Sequence, residues 1–305
     1  MNDNATVPPR DDGAEADVRE TDAPSVLDDM SDTADRDLDD PGDLSDWQLA
    51  IADIRAGMAR HALVLYIGWD AIRESHQRTL FGPLWRTLSV ATFVLGVGLL
   101  FGQILQIRAV AFLPYLATGY LAWLLIVGTI SEASGTFLRQ KNLILSSNIP
   151  YSVYVFENVA RNLISFLFGV PVVAGTLLWY GAPGLGMVLM SIAGLLIIAV
   201  NGFSASIFLG IVSLRYRDVR ETIRAIMRFV FFLTPIIWQP EMLSGRAYLA
   251  QLNPFTHFIA LVRDPLLGTS PSLVSWAVCL AITAAGLAAA LTVFAKMRHR
   301  IPFWL

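Results

Sequence analysis

The stretch that decides the fold runs from Asn162 to Leu214 and contains no charged residue: NLISFLFGVPVVAGTLLWYGAPGLGMVLMSIAGLLIIAVNGFSASIFLGIVSL. A helix needs about twenty apolar residues to cross the hydrocarbon core of a bilayer, so this stretch is too long for one crossing. The turn-forming letters GAPGLG, residues 181–186, divide it. The sequence therefore predicts two membrane spans here, at 160–180 and 186–213.

Uncharged runs elsewhere in the chain extend this pattern. Residues 87–107, 109–131 and 265–295 are each long enough for one span. The segment 219–240 begins with three arginines and then becomes apolar. Because long basic side chains at a helix end can reach the membrane surface, we expect it to span as well. The sequence thus predicts an all-α integral membrane protein with six transmembrane helices.

The composition agrees with this fold class and divides the chain in two. Of 305 residues, 55% are hydrophobic and 15% are charged, whereas a soluble domain has about 25% charged residues. Residues 1–46 hold sixteen acidic and three basic residues, and residues 47–305 hold nine acidic and nineteen basic ones. Apolar residues show no periodic spacing in the first segment. It cannot bury enough apolar surface to offset the conformational entropy that folding would cost. We expect a disordered acidic cytoplasmic tail, either solvated or tethering a basic partner.

The basic residues orient the spans. With the amino terminus in the cytoplasm, fifteen Lys and Arg residues fall inside and three fall outside, as the positive-inside rule requires. Both termini are then cytoplasmic. Residues 241–268 remain, as two half-apolar pieces split by Asn253-Pro254, and each is too short to cross. A seventh span would place Lys296 outside, so we predict an external re-entrant or interfacial hairpin.

An amphipathic region precedes the first span. Apolar residues recur at helical spacing from Trp47 to Leu80, with charged residues between them. Gly82-Pro83 ends the pattern, because proline suits only the first turn of the next helix. We expect residues 47–86 to lie in the plane of the lipid headgroups. Their arginines either anchor the chain or meet an anionic headgroup or a pyrophosphate.

Two further features are predicted on the cytoplasmic side. The loop 132–151 carries an apolar stripe and forms either a plain loop or a short amphipathic helix on which a partner docks. Beyond it, three arginines recur every fourth residue and share one helix face. They are either topology anchors or contacts for phosphate groups: Arg220, Arg224 and Arg228.

Catalytic motifs are absent from the sequence. It lacks the phosphate-binding loop G-x-x-x-x-G-K-[ST], so we do not expect this chain to hydrolyse ATP itself. The single Cys279 excludes an intramolecular disulfide. Four of the six predicted spans contain no charged residue, which disfavours an ion-coupled transporter. One enzymatic alternative is a membrane-embedded glycan or acyl transferase using His257 with Glu241 and Asp264, whose spacing is not specific.

Five groups of residues follow one another along the chain: GWDAIRESHQRTLFGPLW (68–85), NLIL (142–145) with Ile149-Pro150, RYRDV (215–219), FLTPIIW (232–238), and NPFTH (253–257) with RDPLLG (263–268). In content and order they resemble polysaccharide-export permeases of the type-2 ABC transporter class, which export O-antigens, capsules, teichoic acids or galactans. The resemblance covers residues 47–305. Phe168-Gly169 stands where the family would have a His-Asn pair, so no role of that pair transfers to this chain.

The resemblance implies a six-span permease domain over residues 87–305 that forms a homodimer above two separate ABC ATPase subunits. Those subunits would bind ATP and Mg²⁺, and this chain would carry no cofactor. The cargo would be an undecaprenyl-linked polysaccharide that crosses the bacterial plasma (inner) membrane. The chain would also contact membrane lipids, and it would bind no nucleic acid. Segment 69–82 would be the interface helix that receives the cargo, loop 132–148 the coupling helix, and 241–268 the external gate. The close alternative is a type-2 ABC permease for a small lipid or drug.

The candidate residues form four groups on this interpretation, with no catalytic residue and no metal ligand. Substrate entry and pyrophosphate contact are assigned to Arg73, Arg78, Arg86, Arg220 and Arg224. Aromatic rings that stack on sugar C–H faces in the channel, or else face lipid, are Phe93, Phe101, Phe229, Phe232 and Trp238. ATPase coupling is assigned to Phe137, Leu138, Arg139, Lys141, Ile144 and Leu145. The gate residues are Pro235, Pro240, Asn253, Pro254 and His257.

Overall fold

Helices form throughout the uncharged runs, since a backbone in lipid must satisfy its own hydrogen bonds. The computed structural model describes residues 45–77, 79–104, 109–243, 246 and 248–305, and the regular elements there are all helical. The predicted acidic tail therefore lies outside the described residues, apart from Ser45 and Asp46. Ser45 to Leu305 form one compact unit.

Fourteen helices follow one another in the described residues. They are α1 (Asp46–Ala59), α2 (His61–Ser75), α3 (Leu84–Ile104), α4 (Ala109–Ala133), α5 (Thr136–Arg139), α6 (Lys141–Ser146), α7 (Tyr151–Leu167), α8 (Val170–Tyr180), α9 (Leu185–Arg215), α10 (Val219–Leu233), α11 (Tyr248–Gln251), α12 (Pro254–Leu266), α13 (Leu273–Met297) and α14 (Ile301–Trp304). Short 3₁₀ turns occur at Pro240–Leu243 and Arg298–Arg300.

Five segments are long and apolar enough to cross a membrane. They are Leu84–Ile104, Ala111–Ala133, Tyr151–Trp179, Leu185–Arg215 and Leu273–Trp304. The predicted span 219–240 does not reach this length, because α10 ends at Leu233 after 15 residues. The residue before a proline avoids the helical conformation, and Thr234, which precedes Pro235, has ψ 133°. A helix of this length rises about 22 Å, short of a hydrocarbon core of about 30 Å.

Two predicted span starts differ clearly from the observed ones. The third span starts directly after Pro150 and consists of α7 and α8, with a break at Phe168-Gly169. The Phe168 carbonyl accepts a hydrogen bond from the Thr87 hydroxyl at 2.5 Å. The last span starts at Leu273, because Ser272 caps α13 by accepting from the Ser275 amide at 3.1 Å. Pro265 and Leu266, which the prediction placed in the span, are the last residues of the separate helix α12.

The core at the centre of the molecule joins α4, α9 and α12. Most of α12 is buried, from Thr256 to Arg263. It lies so close to α9 that a Cβ atom at Gly194 would be 2.7 Å from the Leu261 carbonyl oxygen. Only glycine fits this approach between the two backbones. The residues of α12, part of the predicted external hairpin, are therefore packed against membrane-spanning helices.

Helices α1 and α2 pack along α7 instead of forming one continuous helix through residue 82. The Asp53 carboxylate accepts hydrogen bonds from the Tyr151 and Ser152 amides at 3.1 and 2.9 Å, which caps the start of α7. Farther along, the Trp69 and Phe168 rings stack with centroids 6.5 Å apart. This packing leaves much of the predicted apolar stripe outside the protein core, with Ile51 and Leu65 exposed, whereas Ile72 is buried.

Candidate functional site

A polar network lies where α4, α7 and α9 meet, on a face of α7 that the helical period brings together. Arg161 is its centre. Its Nε atom donates to Glu157 at 2.8 Å, Nη1 lies 2.5 Å from a Glu132 carboxylate oxygen, and Nη2 donates to the Asn158 amide oxygen at 2.9 Å. Glu157 and Asn158 are buried. Every nitrogen of the Arg161 guanidinium therefore has a protein partner, which offsets the cost of burying these charges.

The network extends to α9 and to the loop after α4. Asn158 donates to the Ser206 hydroxyl of α9 at 2.8 Å, and Arg139 donates to the Asn158 amide oxygen at 3.0 Å and to the Glu132 carbonyl at 2.9 Å. Burial, followed by repulsion from Arg161, lowers the pKa of Arg139 to about 10. The loop that carries α5 is thus tied to the spans by charge-assisted hydrogen bonds.

Two arginines near this network have no such partners. Arg86 of α3 makes no side-chain hydrogen bond and no salt bridge within the described part of the chain, and its Nε atom is buried. Arg220 of α10 likewise has a buried Nε atom without a partner. A Cβ atom at Gly135 would overlap the guanidinium groups of both Arg220 and Arg139. Arg220 thus adds a second positive charge beside Arg139 and makes no salt bridge of its own among the described residues.

A partly open cavity of about 300 Å³ lies between α3, α4 and α7. Its polar lining residues are Arg86, Ser89, Glu132, Asn162 and Ser165. Its apolar lining residues include Val90, Tyr120, Leu121, Leu124 and Phe166. The cavity thus combines a cationic, polar part with an apolar part in one space.

Of the four predicted entry arginines that the structure describes, two reach this region. Arg86 lines the cavity and Arg220 lies beside Gly135, as described above. Arg73 is exposed at the end of α2, and Arg224 is exposed and pairs with Glu221 at 3.0 Å. Arg78 lies outside the described residues. Sequence reasoning missed four members of the network, and the signal that was available is their helical spacing just before the uncharged run: Glu157, Asn158, Arg161 and Asn162.

The predicted coupling loop folds as the two short helices α5 and α6. Phe137 is 0% exposed and Ile144 is buried, so both side chains face the interior of this chain, and their coupling role stays a prediction. They anchor the loop in a core formed with α7, α9 and α13. Arg139 belongs to the network, and Lys141 donates to a main-chain oxygen of Leu305. Leu138 and Leu145 remain as the exposed apolar side chains of this element.

The predicted channel aromatics divide into buried and exposed rings. Phe93 and Phe101 pack against the central core, and Phe93 stacks on Tyr120 with centroids 3.8 Å apart. Phe229 and Phe232 of α10 are 68% and 70% exposed. Trp238 is partly buried and donates from Nε1 to the Phe232 carbonyl at 3.0 Å. The prediction of an open aromatic surface therefore fits only the two α10 residues in this structure.

The predicted gate residues surround the irregular segment after α10. The Pro235 carbonyl accepts from Tyr115 Oη at 3.1 Å and from Arg263 Nη1 at 2.9 Å, and the Arg263 guanidinium lies 4.3 Å from the Tyr115 ring centroid. Asn253 caps α12 and also donates to the Thr234 hydroxyl at 2.9 Å. Pro254 occupies the first turn of α12, and Pro240 begins a 3₁₀ turn. We call the contacts of Tyr115 and Arg263 with the Pro235 carbonyl the far-end clamp, because they lie at the end of α4 that is far from the Arg161 network.

His257 has a structural role in this arrangement. Its ring is buried, Nδ1 lies 3.0 Å from the Ser275 hydroxyl, and Nε2 lies 2.9 Å from the Gln251 carbonyl. Both nitrogens are therefore occupied in joining α12 to α13 and to α11. The transferase alternative for His257 stays a prediction.

Comparison with known proteins agrees with this architecture. Residues 63–267 match the family model described as ABC-2 type transporter. Two O-antigen export system permease proteins RfbA from Klebsiella pneumoniae are each 23% identical over 208 residues, which is 66% of this chain and 79% of each relative. An O-antigen export system permease protein RfbA from Myxococcus xanthus is 21% identical over 187 residues, 60% of this chain and 72% of that protein. Since the family model covers more than half of the chain, the protein belongs to the ABC-2 type transporter family of multi-pass membrane permeases.

Proposed function

We propose that this chain is the channel-forming permease of an ATP-driven exporter that moves a lipid-linked polysaccharide across the bacterial plasma membrane. The relatives named as O-antigen export permeases support the cargo class. The observation that carries the proposal is the exposed aromatic face of α10, where Phe229 and Phe232 stand out from the protein. Aromatic rings hold sugar C–H faces weakly at several points, which permits a polymer to slide.

A homodimer gives these rings a channel to line. Helix α10 buries only Met227 fully and leaves Ile226, Phe229 and Phe232 exposed. In the proposed dimer, α3 and α10 of two chains surround a common axis. Helix α10 rises about 22 Å, and the irregular segment that follows supplies the rest of a sixth crossing.

The region after α10 completes the proposed topology. Helix α12 lies beside the middle of the spans, with Ile259 3.8 Å from the Cβ position of Gly119 in α4. The segment 241–268, which contains α12, enters the membrane from the outer side and returns to the same side, as a re-entrant segment buried in protein. Both chain termini are then cytoplasmic, as the positive-inside rule requires. The acidic segment 1–46 is a tail outside the permease domain.

Energy comes from a separate ABC ATPase subunit, in two copies, which holds ATP and Mg²⁺. The proposed contact is the exposed face of α5 and α6, with Leu138 and Leu145 entering the partner. Phe137 and Ile144 hold this element in place from the inside. The network at Arg161 then links the docking element to the spans, because Arg139 belongs to both.

The test is an export assay with the permease and its ATPase in proteoliposomes, measuring lipid-linked glycan that becomes accessible on the far side. Phe229→Ala together with Phe232→Ala should lower glycan export about thirtyfold, given about 1 kcal/mol for each stacking ring. Trp179→Ala removes an equally exposed ring from α8 and serves as the control. Unchanged export by the double variant contradicts the channel assignment. Transport of a small lipid or drug without the glycan supports the rival ABC permease function.

A further inference from the structure

The cavity between α3, α4 and α7 has the two-part character of an amphiphile site. Along α4 it extends from Glu132 to Tyr120, and at 1.5 Å per residue this is about 18 Å. That length is close to one leaflet of a hydrocarbon core of about 30 Å. Its volume of about 300 Å³ is at the lower end for ligand pockets, enough for part of one chain.

At the polar part of the cavity, Arg86 is the charged side chain that makes no hydrogen bond or ion pair with the described part of the protein. Arg161 is saturated by Glu132, Glu157 and Asn158, so the Glu132 charge already has its counter-ion. Among the described residues, Arg86 has neither a carboxylate within salt-bridge distance nor a side-chain hydrogen bond. A buried guanidinium nitrogen without a partner is costly, and such groups in native proteins require an explanation.

The apolar part of the cavity identifies the rest of the ligand. Val90, Leu121, Leu124 and Phe166 offer no hydrogen bonds to a sugar, and a free inorganic phosphate makes no use of them. Tyr120 stacks on Phe93 at this end. A hydrocarbon chain matches this lining, because burying apolar surface is favourable at about 25 cal/mol per Å².

We propose that this cavity binds a phosphate-bearing lipid, with the phosphate at Arg86 and one hydrocarbon chain between α3, α4 and α7. The identification of that lipid as the polyprenyl phosphate anchor of the exported glycan rests on the function proposed above. An anionic phospholipid of the bilayer has the same chemistry, and the probes below separate the two.

The test measures binding of a fluorescent polyprenyl phosphate and a fluorescent phosphatidylglycerol to the full-length chain in detergent, with inorganic phosphate as competitor. Arg86→Gln removes the cation, and Ser89→Phe fills the cavity from an exposed position of α3. Each should weaken polyprenyl phosphate binding about tenfold or more, as expected for a lost charge-assisted contact. Arg60→Gln, on the exposed end of α1, and Thr92→Phe, on the exposed face of α3, are the matched controls and should stay within about twofold.

Each outcome bears on the site. Equal binding by wild type, Arg86→Gln and Ser89→Phe, at unchanged melting temperatures, overturns it. If only Arg86→Gln weakens binding and inorganic phosphate competes fully, the proposed pocket for the hydrocarbon chain is overturned. Equal binding of both lipids supports the site and removes its identification with the glycan anchor. Loss of glycan export with lipid binding intact contradicts the proposed function and leaves the site standing.

Discussion

Two groups of arginines lie towards opposite ends of α4 and differ in how they are paired. In the far-end clamp, Arg263 is 6% exposed, and it donates to the Pro235 carbonyl, contacts Asp264 and lies over the Tyr115 ring. At the other end, Arg161 is fully paired, whereas Arg86 and Arg220 have buried nitrogens without partners. Paired arginines hold helices together, and unpaired ones keep donors available for something outside the chain. Pairing separates structural arginines from candidate binding arginines.

The largest expected effect is at Arg161. Arg161→Met leaves the buried Glu157 carboxylate without its counter-ion, which costs about 3–5 kcal/mol of stability. We expect a large drop in melting temperature in detergent. The double variant Arg161→Met with Glu157→Gln removes the buried orphaned charge and should recover most of the loss, because the other carboxylate, Glu132, is partly exposed to solvent. A single variant that melts like the wild type contradicts a structural role for this network.

Arg263 is expected to come next. Arg263→Met removes the donor to the Pro235 carbonyl and the cation over Tyr115, and a loss of about 2–3 kcal/mol follows from the unsatisfied groups. Arg217→Met, at an exposed position between α9 and α10, is the control and should change stability by less than about 0.5 kcal/mol. Equal melting temperatures of the two variants count against the far-end clamp.

The smallest effect is expected at Arg220. Because no protein partner is lost, Arg220→Gln should leave stability within about 0.5 kcal/mol of the wild type, or raise it slightly by relieving repulsion with Arg139. Thermal unfolding in detergent measures this change. A loss greater than about 1.5 kcal/mol would place Arg220 among the paired, structural arginines and remove the contrast.

Membrane-spanning helices were the most predictable feature of the fold, and side-chain burial was the least. The uncharged run 162–214 requires crossing helices whatever surrounds it, and Pro235 marks the end of α10. The amphipathic stripe at 132–151 identified a short helical element, but a periodic pattern does not say whether its apolar face meets the core or a partner. Phe137 meets the core.

The candidate site was only half visible in the sequence. Arg86 and Arg220 drew notice as basic residues at span ends, but nothing in their neighbourhood indicated that they lack partners. The pairing of Arg161 with Glu132 joins residues 29 positions apart and depends on how α4 and α7 pack. Likewise, the sequence of α12 is half apolar and indicates a surface segment. Only its packing against Gly194 and Gly119 shows that it is buried in the protein. Such long-range contacts are tertiary and leave little local signal.

The break at Phe168-Gly169 divides the third span into two rods with separate attachments. The first helix, α7, is fixed by Asp53 and by the Arg161 network, whereas the second, α8, packs on α3 and α4. The two helices of this span are therefore anchored by different physical contacts, α7 by hydrogen bonds and ion pairs and α8 by apolar packing.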